Sequence, residues 1–230
     1  MGQDRKTEVK YYYDSHSIEE DLLGEPSIHS ALVHYLHSVL EWQFRGQPCV
    51  IHENLNFYHT SNPQERPLAP DLAVIKGTEV HANNSWTIGS TGPAPKVVIE
   101  IASFETSKKD IEEKPIRFAL MGIEEYFFYD PDDEPPWRPS HQKLFGWRWN
   151  KATGELGEIV ADEQGRLWSQ HLDSFLAFDE SNLQLHESSP QRRLTGEEAL
   201  AQENEKLAQK IEALAQKLRS LGVNPDELVE

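Results

Sequence analysis

The sequence predicts an α/β domain of the α+β kind, carrying added β-hairpins and ending in a coiled-coil helix. Three patterns predict it. An amphipathic helical stripe lies near the N-terminus, short apolar strands alternate with turn residues through the middle, and leucines recur every seven residues near the C-terminus.

Residues 1–24 read as a mobile lead-in with an aromatic cluster at Tyr11, Tyr12 and Tyr13. Ser27 to Arg45 reads as a helix, with Ile28, Ala31, Leu32, Tyr35, Leu36 and Val39 on one stripe and His34, His37 and Glu41 on the polar side. Gly46 and Pro48 end it. Cys49 to Tyr58 resembles one strand, a polar loop with Pro63 and Pro67 follows, and Leu72 to Ile75 is a short apolar strand. Lys76 to Pro95 reads as a long loop rich in Gly, Asn and Ser, a kind of segment that is often functional. Lys96 to Ala102 is a strand, and Ser107 to Met121 is helix-like with Gly122 as its stop. Pro115 falls inside that helix, where it would kink or restart it. Glu125 to Tyr129 is a strand closed by Asp130 and Pro131, and Asp132 to Pro139 is a turn. Strands around Trp147 and Trp149, a turn at Thr153 and Gly154, Leu156 to Val160, and Leu183 to Leu185 suggest hairpins appended to the core.

The remaining segment has a different character. Leu200, Leu207, Leu214 and Leu221 mark one seam position, and Asn204, Ile211 and Leu218 the other. Asn204 there favours a parallel two-stranded coiled coil, so a homodimer through this helix is expected. The organisation is a lead-in at 1–24, a domain at 25–190 and a coiled-coil helix at 191–230.

Composition narrows the function. The chain has 230 residues, enough for a sizeable core at 37% hydrophobic residues. Mean hydropathy is -0.65, and no apolar run approaches the roughly 20 residues that span a bilayer, so no membrane partner is expected. The polar stretch from Met1 to Lys10 lacks the apolar core of a signal peptide, which makes the cytoplasm the expected location. A single cysteine, Cys49, excludes an internal disulfide framework and a Cys-rich zinc site. The net charge is -17, and residues 1–190 hold 16 of the 22 basic and 31 of the 39 acidic side chains. Such acidity disfavours non-specific nucleic-acid binding. It serves solubility, or it marks carboxylates that converge on a divalent cation.

Two acids carry the chemistry. In the strand Val97 to Ala102, alternation sends Val98, Glu100 and Ala102 one way and Val97, Ile99 and Ile101 the other. A carboxylate in such a strand is costly to desolvate unless paired or bound to a cation. Asp71 likewise opens the apolar strand Leu72 to Ile75. On neighbouring strands the two could share Mg²⁺ or Mn²⁺. Ser107 and Asp110 form a capping pattern, and Asp110 and Lys114 stand at i,i+4. A lysine near two metal-bound acids stabilises phosphorane charge or positions the attacking water.

The order Pro70 and Asp71, Glu100 in an apolar strand, Ser103, Asp110 and Lys114, then Gly122 through Pro131, resembles the Uma family of restriction-endonuclease-like proteins, within the PD-(D/E)xK nuclease superfamily. The resemblance covers about residues 20–190, and many members also end in a leucine-rich heptad helix. It implies a mixed sheet flanked by helices in α-β-β-β-α-β order. It implies Asp71 and Glu100 as metal ligands and Lys114 in place of the lysine that the superfamily sets two residues after the strand glutamate, where this chain has Ala102. Superfamily members often add an acid from the first helix; of Glu25, just before that helix and near its apolar stripe, and Glu41, on its polar side, Glu25 is preferred as a third metal ligand.

The expected function is therefore a Mg²⁺- or Mn²⁺-dependent endonuclease that hydrolyses DNA as a homodimer, with Asp71, Glu100 and Lys114 catalytic. Lys96, Lys108, Lys109, Lys114 and Arg117 would line its DNA groove. The alternative is a catalytically inactive, nuclease-like scaffold acting through its coiled coil, and a zinc hydrolase using the histidines is a minor third reading. For His34 and His37 the sequence offers no third ligand beside them, so a solvated helix face is expected. Ser103, without a histidine partner, reads as a turn residue.

Overall fold

The computed structural model describes residues 27–60, 64–82, 84–102, 111–131, 142–179, 182–189 and 191–224. The lead-in with its three tyrosines, Glu25, Ser103, the helix start from Ser107 to Asp110, and the turn from Asp132 to Pro139 lie outside them.

Helix α1 (Ser27–Gln43) buries His29, Leu32, Val33, Leu36, Val39 and Leu40. Ala31 is exposed and Tyr35 half-buried, so the buried stripe is turned from the expected one. Both stripes satisfy 3.6 periodicity, and the sheet takes the one with more aliphatic volume.

The expected strand from Cys49 to Tyr58 is two strands, β1 (Cys49–Glu53) and β2 (Asn56–Tyr58). Asn54 between them has φ 49°, a left-handed conformation that asparagine tolerates and that turns the chain out of the first sheet. β3 (Leu72–Lys76) follows. The expected long loop contains β4 (Ser85–Thr87), which pairs in parallel with β2. Buried Trp86 anchors it: the indole N–H donates to the Pro93 carbonyl at 3.0 Å, and a Cβ at Gly92 would lie 2.3 Å from the ring.

β5 (Val97–Ile101), α2 (Lys114–Leu120) and β6 (Glu125–Tyr129) come next. α2 starts with Pro115 in its first turn, where a missing N–H costs nothing, so the proline restarts the helix as its position suggested. Gly122 ends it at φ +86°, with Gly122 N–H bonded to the Ala119 carbonyl at 2.9 Å and Ile123 N–H to Phe118 at 3.1 Å. The chain continues as β7 (Leu144–Asn150), β8 (Glu155–Glu158), β9 (Leu167–Ser169), β10 (Ser174–Asp179), β11 (Asn182–His186) and α3 (Gly196–Ser220).

The main sheet runs β1-β3-β5-β6-β7-β8. It is mixed: β5 and β6 are parallel, with α2 between them in sequence, and the other neighbours are antiparallel. Without β2 and β4, the order from α1 to β6 is α-β-β-β-α-β. The hairpin β7–β8 extends this sheet rather than hanging from it, while β9, β10 and β11 form a separate sheet. Val97, Ile99 and Ile101 face α1 and the three-stranded sheet; Val98 faces the opposite layer with Phe57, Trp86 and Phe118.

α3 opens with a capping box of Thr195 and Glu198. Arg192 pairs with Glu198 at 2.9 Å and donates to the Tyr35 hydroxyl of α1 at 3.0 Å, while Gly196 packs on Trp42. No residue of α3 is buried, and Leu200, Leu207, Ile211 and Leu214 are all at least half exposed. No helix among the described residues is long and apolar enough to cross a membrane.

Candidate active site

The register of the sheet brings the two acids together. β3 and β5 pair Leu72 with Ile99, and one step further Asp71 stands opposite Glu100. The Asp71 N–H donates to Glu100 Oε2 at 3.4 Å, and the Ile101 N–H donates to Asp71 Oδ2 at 2.7 Å. Asp71 is 8% exposed and Glu100 4%. Lys114 Nζ donates to Glu100 Oε1 at 2.6 Å. The break in the helix therefore does not turn Lys114 away, because a restart at residue 114 puts it in the first turn of α2, over the end of β5. Ala102 lies half-buried on the Glu100 side of the sheet, as alternation requires.

The Uma2 family, described as "putative restriction endonuclease", matches residues 3–176. The chain belongs to this family. No curated protein matches it. A solved structure titled as a putative nuclease from Anabaena variabilis resembles it at TM-score 0.44 and 17% identity, over 64% of this chain and 75% of that one.

In this Uma2 member the site includes a residue that sequence reasoning missed. His29 Nε2, from the start of α1, lies 3.2 Å from Asp71 Oδ2, and the histidine is buried. The signal was present in the sequence: His29 stands at i,i+3 and i,i+4 before Leu32 and Val33, on the stripe that is buried. Glu25, the expected acid from this region, is outside the described residues.

Of the basic residues expected to line a groove, Lys114 reaches the acid pair, at Glu100. Lys96 stands just before β5, four residues or about 13 Å from Glu100 along the chain. It is tied instead to Glu124, which also accepts from Lys151 at 2.9 Å and meets His171 at 2.9 Å. Burial works against the Glu124 charge, but hydrogen bonds from Lys96 and Lys151, with His171 nearby, hold its carboxyl down at about 2. Arg117 is exposed on α2, and Lys108 and Lys109 lie outside the described residues.

The reading of His34 and His37 as a face without a third ligand is corrected by the fold. Glu53, at the end of β1, comes to 2.6 Å of His37 Nδ1 and 3.9 Å of His34 Nδ1.

Two facing carboxylates offer hard oxygen donors, and their two charges exceed that of the Lys114 ammonium. This donor set fits Mg²⁺ or Mn²⁺.

Proposed function

We propose that this chain is a metal-dependent endonuclease that hydrolyses DNA phosphodiester bonds. The observation that carries the reading is the convergence of Asp71, Glu100 and Lys114 at the ends of β3 and β5 and the start of α2. Asp71 and Glu100 would hold Mg²⁺ or Mn²⁺, which supplies Lewis acidity and a water of lowered pKa. Hydrolysis joins a water oxygen to phosphorus, breaks a P–O ester bond and delivers a proton to the departing oxygen. The Lys114 ammonium offsets the negative charge that builds on the phosphoryl oxygens, and burial strengthens that interaction. The Ile101 N–H and His29 orient Asp71 from two directions. A cytoplasmic setting suits Cys49, a free thiol.

A homodimer through the exposed leucines of α3 would bring two such sites to the two strands of a duplex. The test is plasmid cleavage in Mg²⁺. Asp71→Ala and Glu100→Ala should each lower it by at least a thousandfold, and unchanged cleavage in both would remove the proposal. The scaffold alternative draws on the direct Lys114–Glu100 pair, which satisfies the buried carboxylate without an ion. Calorimetric titration with Mn²⁺ separates them: micromolar binding lost in Glu100→Ala supports the enzyme, and no binding supports the scaffold.

A further inference from the structure

A second cluster lies on the outer side of the α1–β1 junction. His34 and His37 are one helical turn apart on α1, and Glu53 ends the edge strand β1. One ligand atom from each lies within 4.8 Å of the other two, and among the described residues this trio of His and carboxylate side chains meets that spacing. His37 Nδ1 and Glu53 Oε1 approach to 2.6 Å, yet Glu53 Oε1 is buried and accepts no hydrogen bond. Ligand atoms about 2.1 Å from a tetrahedral ion stand about 3.4 Å apart, so the 2.6 and 3.9 Å separations bracket that value and small side-chain rotations reach it. His37 Nε2, on the ring edge away from Glu53, is buried and makes no hydrogen bond, and Glu41 Oε1 lies 3.6 Å from it, beyond hydrogen-bond reach.

We infer that His34, His37 and Glu53 form a binding site for a transition-metal dication such as Zn²⁺, with water at the fourth position. The nitrogen donors select it over Mg²⁺, which prefers oxygen. The site differs from the nuclease centre in residues and in ion, and it does not rest on the nuclease reading. Its structural effect follows from the register: Glu53 pairs with Leu72, the neighbour of Asp71. An ion here ties α1 to the same end of the sheet where His29 meets Asp71.

The test uses the full chain freed of metal with a chelator and kept in excess Mg²⁺. Zn²⁺ is titrated calorimetrically, and Co²⁺ is added to read the visible absorption of a tetrahedral site. One micromolar site per chain is expected, with a rise in unfolding temperature on Zn²⁺ addition. His37→Ala and Glu53→Gln should each weaken it at least tenfold, while Glu100→Ala leaves it intact. His34 is largely exposed, so His34→Ala is expected to fold normally and supplies an independent check. Binding no tighter than millimolar, or micromolar binding that survives His34→Ala combined with Glu53→Gln, would overturn the assignment.

Discussion

Lys114 Nζ and Glu100 Oε1 lie 2.6 Å apart although fourteen residues and a helix restart separate them in the chain. The helix supplies the charge that Ala102, two residues after Glu100 on the strand, cannot. Glu100 is 5% and Lys114 21% exposed at the side chain, so the pair is desolvated on one side and screened little on the other.

Removing that ammonium takes away the cation that offsets the buried Glu100 carboxylate. Lys114→Met should destabilise the metal-free protein by about 2–4 kcal/mol. It should also make stability respond more to Mg²⁺, because the ion no longer competes with the lysine for Glu100 Oε1. Cleavage should fall at least a hundredfold. Thermal unfolding with and without Mg²⁺ measures the first two effects, and equal Mg²⁺ shifts in variant and wild type would contradict the competition.

His29→Ala should leave the fold intact but lower Mn²⁺ affinity and cleavage by about 10- to 100-fold, since Asp71 loses one of the groups that orient it. His29→Asn should recover part of the loss by restoring a donor. Wild-type Mn²⁺ affinity in the alanine variant would reduce His29 to packing.

Glu124 gives an acid limb to the stability curve. Its carboxyl titrates at about 2 when folded and near 4.5 when unfolded, so the unfolded chain binds the proton first as pH falls. The stabilisation is complete above about pH 4.5 and disappears as pH drops toward 2. Glu124→Gln should be less stable at pH 7, and its denaturation midpoint should change less between pH 4.5 and 2 than that of wild type. Parallel acid profiles would show that Lys96, Lys151 and His171 do not hold the charge.

Leu207→Lys combined with Leu214→Lys should convert a dimer to a monomer in analytical ultracentrifugation. The two positions are more than half exposed, so the body should unfold at an unchanged temperature. A wild-type chain that sediments as a monomer at high micromolar concentration would exclude pairing through α3.

The strands beside Asp71 and around Glu100 were legible because both are continuous apolar runs, one opened and the other interrupted by a single acid, a pattern with few physical explanations. Their meeting was not derivable from the sequence, since it depends on the β3–β5 register. Lys114 was legible as a candidate, but its aim depends on Pro115 serving as the start of a helix, which spacing alone does not decide. β4 was hidden because a three-residue strand leaves no period, and only the burial of Trp86 marks it. β9 and β10 were overlooked for a similar reason: in Leu167 to Asp179 the apolar residues are spaced by a turn at positions 170–173 rather than by a regular alternation. Glu53 needed the tertiary contact itself, because its histidine partners lie far away in sequence; His29 was marked by its place on the buried stripe, and only its pairing with Asp71 required the fold.

The fastening of α3 by its first turn alone has a geometric outcome. Its 25 residues form a rod of about 37 Å, joined to the body at Arg192, Gly196 and Glu198, with most of its residues beyond them exposed. Were two such rods to zip in the same direction, both bodies would hang side by side from one end, like twin blades on a shared handle. The opening between the blades would then be governed by the short joint ahead of Thr195 rather than by the length of the handle.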